Sequence, residues 1–380
     1  MSSFAQINRP FTLLIKPASA DCNLACDYCF YLEKSALYPN LRAHRMSQEV
    51  LERLVSSYMA TRQPQYSFCW QGGEPTLMGL DFYRETVRLQ QAHGKPGSIV
   101  ANAFQTNGVL VDADWARFFE KYHFLVGLSL DGPAELHNHY RHHLSGAPSH
   151  EEALRGLAHL KRAGAEFNIL VLVTPVNSGK ARQVYEYLRE LGVDFMQFIP
   201  CVEFDKTGQP LPFTVSAGEW GQFLCDVFDV WREAGDERRV SVRLFDSLLT
   251  VMVHNQYNVC HLGRNCCQYL VVEHNGDIYP CDFFVEEERK LGNLMEGEWA
   301  DFLSSPLYLA FGAQKARWNE ACKSCKWLKY CSGDCLKHRF TSESDPRNLS
   351  FLCAGWQRFF EHALPYLEEL AKELQGEQRP

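Results

Sequence analysis

Residues 21–33 read DCNLACDYCFYLE and hold Cys22, Cys26 and Cys29 in a CxxxCxxC spacing. A cube of four irons and four sulfides takes one ligand per iron, and cysteine thiolates are its usual ligands. Three closely spaced thiolates therefore leave one iron without a protein ligand. An open coordination position separates a catalytic metal site from a closed structural one. A zinc loop borrowing a fourth ligand from elsewhere would use the same three thiols. The rest of the chain decides between the two.

The loop follows FTLLIKP (11–17), the first of a series of short apolar runs. YSFCWQG (66–72), SIVANAFQTNG (98–108), FLVGLSLDG (124–132), EFNILVLVT (166–174), DFMQFIP (194–200) and RVSVRLF (239–245) continue it, with amphipathic segments between them. Alternating strand and helix patterns indicate an α/β fold with a parallel sheet. One helix is expected after Ser47, where Val50, Leu51, Leu54, Val55 and Tyr58 recur at helical spacing. A second is expected from Ser149, with Glu152 completing a capping box. A third, over 181–191, should stop at Gly192. Around six βα units are too few for a closed eight-stranded barrel and suit an open one.

In barrels of this kind, ligands gather at the carboxyl ends of the strands. The cysteine loop, QGGEP (71–75), QTNG (105–108) and SLDG (129–132) follow the first four strand candidates in turn. Gly72 and Gly73 allow backbone to approach a ligand closely. Glu74 has either a structural or a ligand-related role. Arg141, beyond Ser129 and Asp131, carries a planar fork that matches a carboxylate, although a surface salt bridge would also explain it. Five of the fourteen histidines fall in ELHNHYRHHLSGAPSH (135–150) without metal-ligand spacing, and a solvated helix and loop is expected there.

A net charge of -8 offers no basic stripe for phosphates, so nucleic acid is not an expected partner. No apolar run approaches the length of a membrane span. The opening MSSFAQINRPFTLLIKP has no signal-peptide pattern, and a cytoplasmic location is expected. Fifteen cysteines in such a setting indicate metal binding rather than disulfides. Eleven fall into compact groups, leaving Cys69, Cys201, Cys225 and Cys267 as expected core or structural thiols. From about residue 250 the βα rhythm stops and cysteines accumulate: Cys260, Cys266, Cys281, Cys322, Cys325, Cys331, Cys335 and Cys353. Eight thiolates suffice for two fully ligated clusters. A zinc ribbon explains a CxxC with a second pair, but not all eight. The final helical run contains Pro365, where a break or kink is expected.

With both halves read, the chain resembles the anaerobic sulfatase-maturating enzymes, radical S-adenosylmethionine (SAM) proteins with a cysteine-rich SPASM extension. The resemblance runs from LLIKPASADCNLACDYCFY through FCWQGGEPTL, FQTNG, FLVGLSLDGP, EFNILVLVT and QFIPC to YPCDFF and CKSCKWLKYCSGDC. It implies a partial (β/α)6 barrel over residues 1–250. A SPASM domain with two auxiliary 4Fe–4S clusters and a C-terminal helix would follow over 251–380. The implied reaction oxidises a sulfatase Cys or Ser to Cα-formylglycine after a 5′-deoxyadenosyl radical removes a hydrogen. An alternative within the same architecture is maturation of another peptide, for example by thioether crosslinks.

By position, the resemblance gives Cys22, Cys26 and Cys29 to the SAM-binding cluster. It gives SAM contacts to Tyr28, Gly73, Ser129, Arg141 and Val202, the last standing where a leucine is expected. One auxiliary cluster would take Cys260, Cys266, Cys281 and Cys335; the other would take Cys322, Cys325, Cys331 and Cys353. Cys267 occupies a position where no ligand is expected. Asp282 matches the family's general base: it would take the substrate's thiol or hydroxyl proton while a cluster takes one electron. An anionic, buried setting is expected for it, and a turn or N-cap aspartate is the plainer alternative. The implied partners are an unfolded or nascent sulfatase polypeptide and an electron donor such as flavodoxin or ferredoxin.

Overall fold

The computed structural model describes residues 9–39, 41–340 and 345–377. Ten strands occur among them: β1 (Thr12–Lys16), β2 (Tyr66–Trp70), β3 (Val100–Thr106), β4 (Phe124–Ser129), β5 (Phe167–Val173), β6 (Phe195–Pro200), β7 (Ser241–Val242), β8 (Tyr269–Glu273), β9 (Asp277–Tyr279) and β10 (Gly292–Asn293). The chain forms two compact units. The first holds the chain up to Leu128, Arg141–Phe167 and Cys266–Gly312; the second holds Ser129–Tyr140, Asn168–Asn265 and the chain from Ala313. No helix among the described residues is long and apolar enough to cross a membrane.

In the first unit, β1 to β4 pair in parallel and in sequence order. Leu13, Ile15, Phe68, Trp70, Val126 and Leu128 are buried; two apart on each strand and in register across the sheet, they form one buried face. The helix Gln48–Met59 buries Val50, Leu51, Leu54, Val55 and Tyr58, and the Ser47 hydroxyl accepts from the Val50 amide at 3.2 Å. Such a cap contributes about 1 kcal/mol. The expected capping box at Ser149 does not form. The Ser149 hydroxyl donates to the Arg141 carbonyl at 2.9 Å, and the Glu152 carboxylate sits 2.5 Å from His143 Nε2. Partners on the preceding loop win over the local ones.

The cysteine-rich part contributes to the same unit. β8 pairs in parallel with β1 along its whole length, β9 pairs antiparallel with β8, and β10 pairs antiparallel with β9. The YLVVE run is thus a buried sheet strand, although the βα rhythm has ended.

In the second unit β5, β6 and β7 pair in parallel. β7 is shorter than the expected strand over 239–245. Only Ser241 and Val242 are extended, because Leu244, Phe245, Leu248 and Val251 bury one face of the helix Arg243–His254. The helix Ala181–Glu190 ends before Gly192, as its pattern indicates, and Gly192 has φ +68°. The helix Cys353–Glu377 continues through Pro365 without the expected break. It packs on the helix Ala217–Glu233 through glycines: a Cβ on Gly221 would stand 2.7 Å from Gly355 Cα. Trp220 and Trp356 meet beside that contact with ring centres 5.6 Å apart.

Candidate functional site

Cys22, Cys26 and Cys29 sit in a loop of tight turns after β1. The Cys29 amide donates to the Cys26 carbonyl at 3.1 Å, and the Leu24 amide points at Cys22 Sγ from 3.4 Å. Asn107 Nδ2 lies 3.7 Å from the same sulfur and donates to Asn23 Oδ1 at 2.7 Å. Burial, then the Glu74 carboxylate, then the neighbouring Cys26 and Cys29 thiols push Cys22 up to about 12. Thiols placed like this become thiolates when a cation joins them, so the donor set fits an iron–sulfur cluster. Among the described residues, no three His, Cys, Asp or Glu side chains are placed to share one metal ion. That is the requirement of a single ion; a cube asks each thiolate to reach a different iron.

Gly73 stands against this loop. Its amide donates to the Ser19 carbonyl at 2.7 Å, and a Cβ there would fall 1.9 Å from the Asp21 carbonyl oxygen. Only glycine allows the two backbones to approach so closely. Glu74 is fully buried. It accepts from the Thr76 amide and hydroxyl at 3.0 and 2.7 Å, the Thr106 hydroxyl at 2.9 Å and the Asn107 amide at 2.8 Å. Its place is structural: it ties QGGEP to QTNG, which in turn carries Asn107 to the cysteine loop.

Tyr28 is buried, and the Arg141 guanidinium carbon lies 5.3 Å from its ring centre. Arg141 is half-buried. The histidine-rich stretch is less solvated than expected. His137 and His150 are buried, the His142 carbonyl accepts from the Ala25 amide at 2.8 Å, and His142 Nε2 lies 3.2 Å from Asp27. This segment braces the cysteine loop.

In the second unit, Ser129 ends β4 and Val202 follows β6; both are buried. Asp131 Oδ1 accepts from the Leu172 amide at 2.9 Å, so SLDG is tied to β5.

Asp282 opens a short 3-10 turn directly after Cys281. Its carboxylate pairs with the Lys16 ammonium, and Gln71 Nε2 stands 3.5 Å away. The expected anionic surroundings are therefore corrected: the nearest charge is a buried cation. Lys16 Nζ also lies 4.1 Å from the centre of the Tyr31 ring, and the Tyr31 hydroxyl donates to Glu273. Burial, Glu273 and Asp282 push that hydroxyl well up, which keeps it a donor. Reading the sequence missed Lys16. The available signal was a charge inside the apolar run TLLIK, which packing forces to find a partner.

Cys322, Cys325, Cys331 and Cys353 line one pocket of about 60 Å³ in the second unit, walled by Trp327, Trp356 and Phe360. Burial and the Cys322 and Cys325 thiols push Cys353 up to about 11. Four thiols around one apolar pocket also fit a cluster. Cys260 and Cys335 lie near each other in that unit. In the first unit, the Tyr269 hydroxyl lies 3.4 Å from Cys281 Sγ, and the Cys266 amide donates to the Gly312 carbonyl. The Cys267 thiol donates to the Tyr308 carbonyl at 3.3 Å. Cys201 and Cys225 are buried among core residues, and Cys69 lies on β2.

Residues 17–198 match the family model of the radical SAM superfamily, and residues 260–326 match that of an iron–sulfur cluster-binding domain named SPASM. A serine-type anaerobic sulfatase-maturating enzyme of Bacteroides thetaiotaomicron is 36% identical over 100% of this chain and 95% of its own length. A cysteine-type anaerobic sulfatase-maturating enzyme of Clostridium perfringens is 36% identical over 96% of this chain and 99% of its own. A solved structure of native anSMEcpe with bound AdoMet and Cp18Cys peptide superposes with a TM-score of 0.89 at 35% identity, covering 96% of this chain and 100% of that one.

Proposed function

The chain belongs to the anaerobic sulfatase-maturating enzymes of the radical SAM superfamily, and we infer that it oxidises a sulfatase Cys or Ser to Cα-formylglycine. SAM and iron–sulfur clusters are its cofactors. We assign three 4Fe–4S clusters: one to Cys22, Cys26 and Cys29, one to Cys260, Cys266, Cys281 and Cys335, and one to Cys322, Cys325, Cys331 and Cys353. The boundary at 250/251 is kept as a division of chemistry, between the SAM-binding part and the auxiliary-cluster part. The substrate would be an unfolded or nascent sulfatase polypeptide, met in the cytoplasm, with flavodoxin or ferredoxin as electron donor.

When bound, SAM and the clusters supply a 5′-deoxyadenosyl radical for removal of the substrate Cβ hydrogen and an acceptor for the electron that follows. The protein's own residues do the rest. Tyr28, Gly73, Ser129, Arg141 and Val202 would hold SAM, Arg141 by offering its fork to the carboxylate. Asp282 would accept the thiol or hydroxyl proton. Lys16 holds that carboxylate in place through the ion pair between them. Gln71 stands at the second oxygen, where a substrate donor can displace or join it.

The observation that carries this reading is the Lys16–Asp282 pair, a carboxylate held by a buried ammonium beside Cys281 in the unit that also contains the three-thiol loop. The test is anaerobic incubation of the reduced, cluster-loaded protein with SAM and a sulfatase-derived peptide. It should yield 5′-deoxyadenosine and a peptide aldehyde. SAM cleavage with no change in any such peptide would refute the substrate assignment.

A further inference from the structure

Lys315 is fully buried. Its ammonium donates to the His261 carbonyl at 2.9 Å and to the Asp334 carbonyl. His261 adjoins Cys260 and Asp334 adjoins Cys335, so one cation clamps the two segments that carry these thiols. The nearby Asp334 carboxylate is bonded to His338 Nδ1 at 2.8 Å and Ser350 Oγ at 2.7 Å. Arg339, also buried, likewise spends its fork on carbonyls: Gly333, Ser332, Asp334, Lys315 and Pro346, at 2.7 to 3.1 Å.

Burying a Lys ammonium is costly unless opposite charge meets it. The buried Asp334 carboxylate supplies one such charge, and thiolates held on a cluster would add to it.

We propose that Lys315 is the counter-charge of the auxiliary-cluster region and raises the midpoint potential of the cluster that Cys260 and Cys335 help to hold. This rests on the cysteine assignment made above. Adding an electron to a cluster adds one negative charge, and a fixed cation in a low-dielectric interior stabilises that charge. Cluster potentials are set by such nearby charge, by hydrogen bonding and by exposure. Lys315 thus acts as a positioning and tuning residue, making the cluster a better acceptor for the electron leaving the substrate.

The test is a potentiometric titration followed by electron paramagnetic resonance. It uses the full-length, anaerobically loaded chain carrying Cys26→Ala, which leaves only the auxiliary signals. Adding Lys315→Met should shift an auxiliary midpoint to lower potential, and Lys315→Arg should leave it in place. An unshifted midpoint in Lys315→Met with iron and sulfide retained overturns the proposal. So does failure of both Lys315→Met and Lys315→Gln to hold auxiliary iron, which would make the residue a scaffold. If Cys26→Ala alone gives no auxiliary signal, the cysteine assignment itself fails and the proposal falls with it.

Discussion

Lys16 at the end of β1 and Asp282 after Cys281 form a largely buried ion pair, with side-chain exposures of 2% and 14%. The pair links the first strand to the segment that returns as β8 and β9 beside it. Two charges taken out of water persist only with good geometry and further hydrogen bonds. Gln71 and the Tyr31 ring flank this pair. A structural salt bridge would gain little here over two apolar residues, which is why a functional carboxylate is the better explanation.

Asp282→Asn should leave SAM cleavage measurable and suppress aldehyde formation by about 10²-fold or more, the usual scale of a positioned general base. Lys16→Gln should uncouple the two products in the same direction, with the Asp282 carboxylate still present. The measurement is the ratio of 5′-deoxyadenosine to peptide aldehyde in one reaction. An unchanged ratio in Asp282→Asn removes this residue from the chemistry.

Cys26→Ala takes one thiolate from the open loop and none from the second half of the chain. SAM cleavage should vanish while most iron and acid-labile sulfide stay with the protein. Retained cleavage would contradict the assignment of this loop.

Gly73→Ala adds a Cβ that would meet the Asp21 carbonyl oxygen at 1.9 Å. That neighbour is backbone next to Cys22, so the strain cannot be relieved by a side-chain rotation. Overpacking costs about 1–3 kcal/mol, and the same loop positions the cluster ligands. SAM affinity should fall about ten-fold or more, as read by anaerobic equilibrium dialysis. Wild-type affinity would show that the close approach is dispensable.

Asp277 gives a pH dependence that can be checked without cofactors. Burial raises its pKa, but the Lys290 ammonium at 2.7 Å and the amides of Asn293 and Asn275 at 2.8 and 3.0 Å outweigh it and hold it below the usual value. A carboxyl lowered in the folded state adds stability that is complete above its unfolded value of about 3.9 and is lost as pH falls through the folded one. Asp277→Asn should therefore melt below wild type at neutral pH, with a gap that narrows under acid below about pH 4. A gap that stays constant across that range would contradict the ion-pair account.

Much of the fold is legible in the sequence because its pattern is local. The first six strand candidates correspond to β1 to β6, and the Val50–Tyr58 stripe is the buried face of its helix. The failures are long-range. Nothing near YLVVE says that it will pair with β1, because that partner lies at the other end of the chain. The capping box at Ser149 looked complete locally, yet the Arg141 carbonyl and His143 claimed its two side chains. At the site, cysteine spacing located the ligand candidates. The cation beside Asp282 came from a strand whose one charged residue had no evident partner in sequence. The histidine stretch braced the cysteine loop through a main-chain carbonyl, which composition does not encode.

The central claim is that a radical made from SAM takes a Cβ hydrogen from the target residue. The direct measurement uses a sulfatase-derived peptide deuterated at Cβ of its reacting Cys or Ser, incubated anaerobically with the reduced protein and SAM. Mass spectrometry should find deuterium in 5′-deoxyadenosine, in proportion to the aldehyde formed. Unlabelled 5′-deoxyadenosine accompanying aldehyde formation would contradict the account.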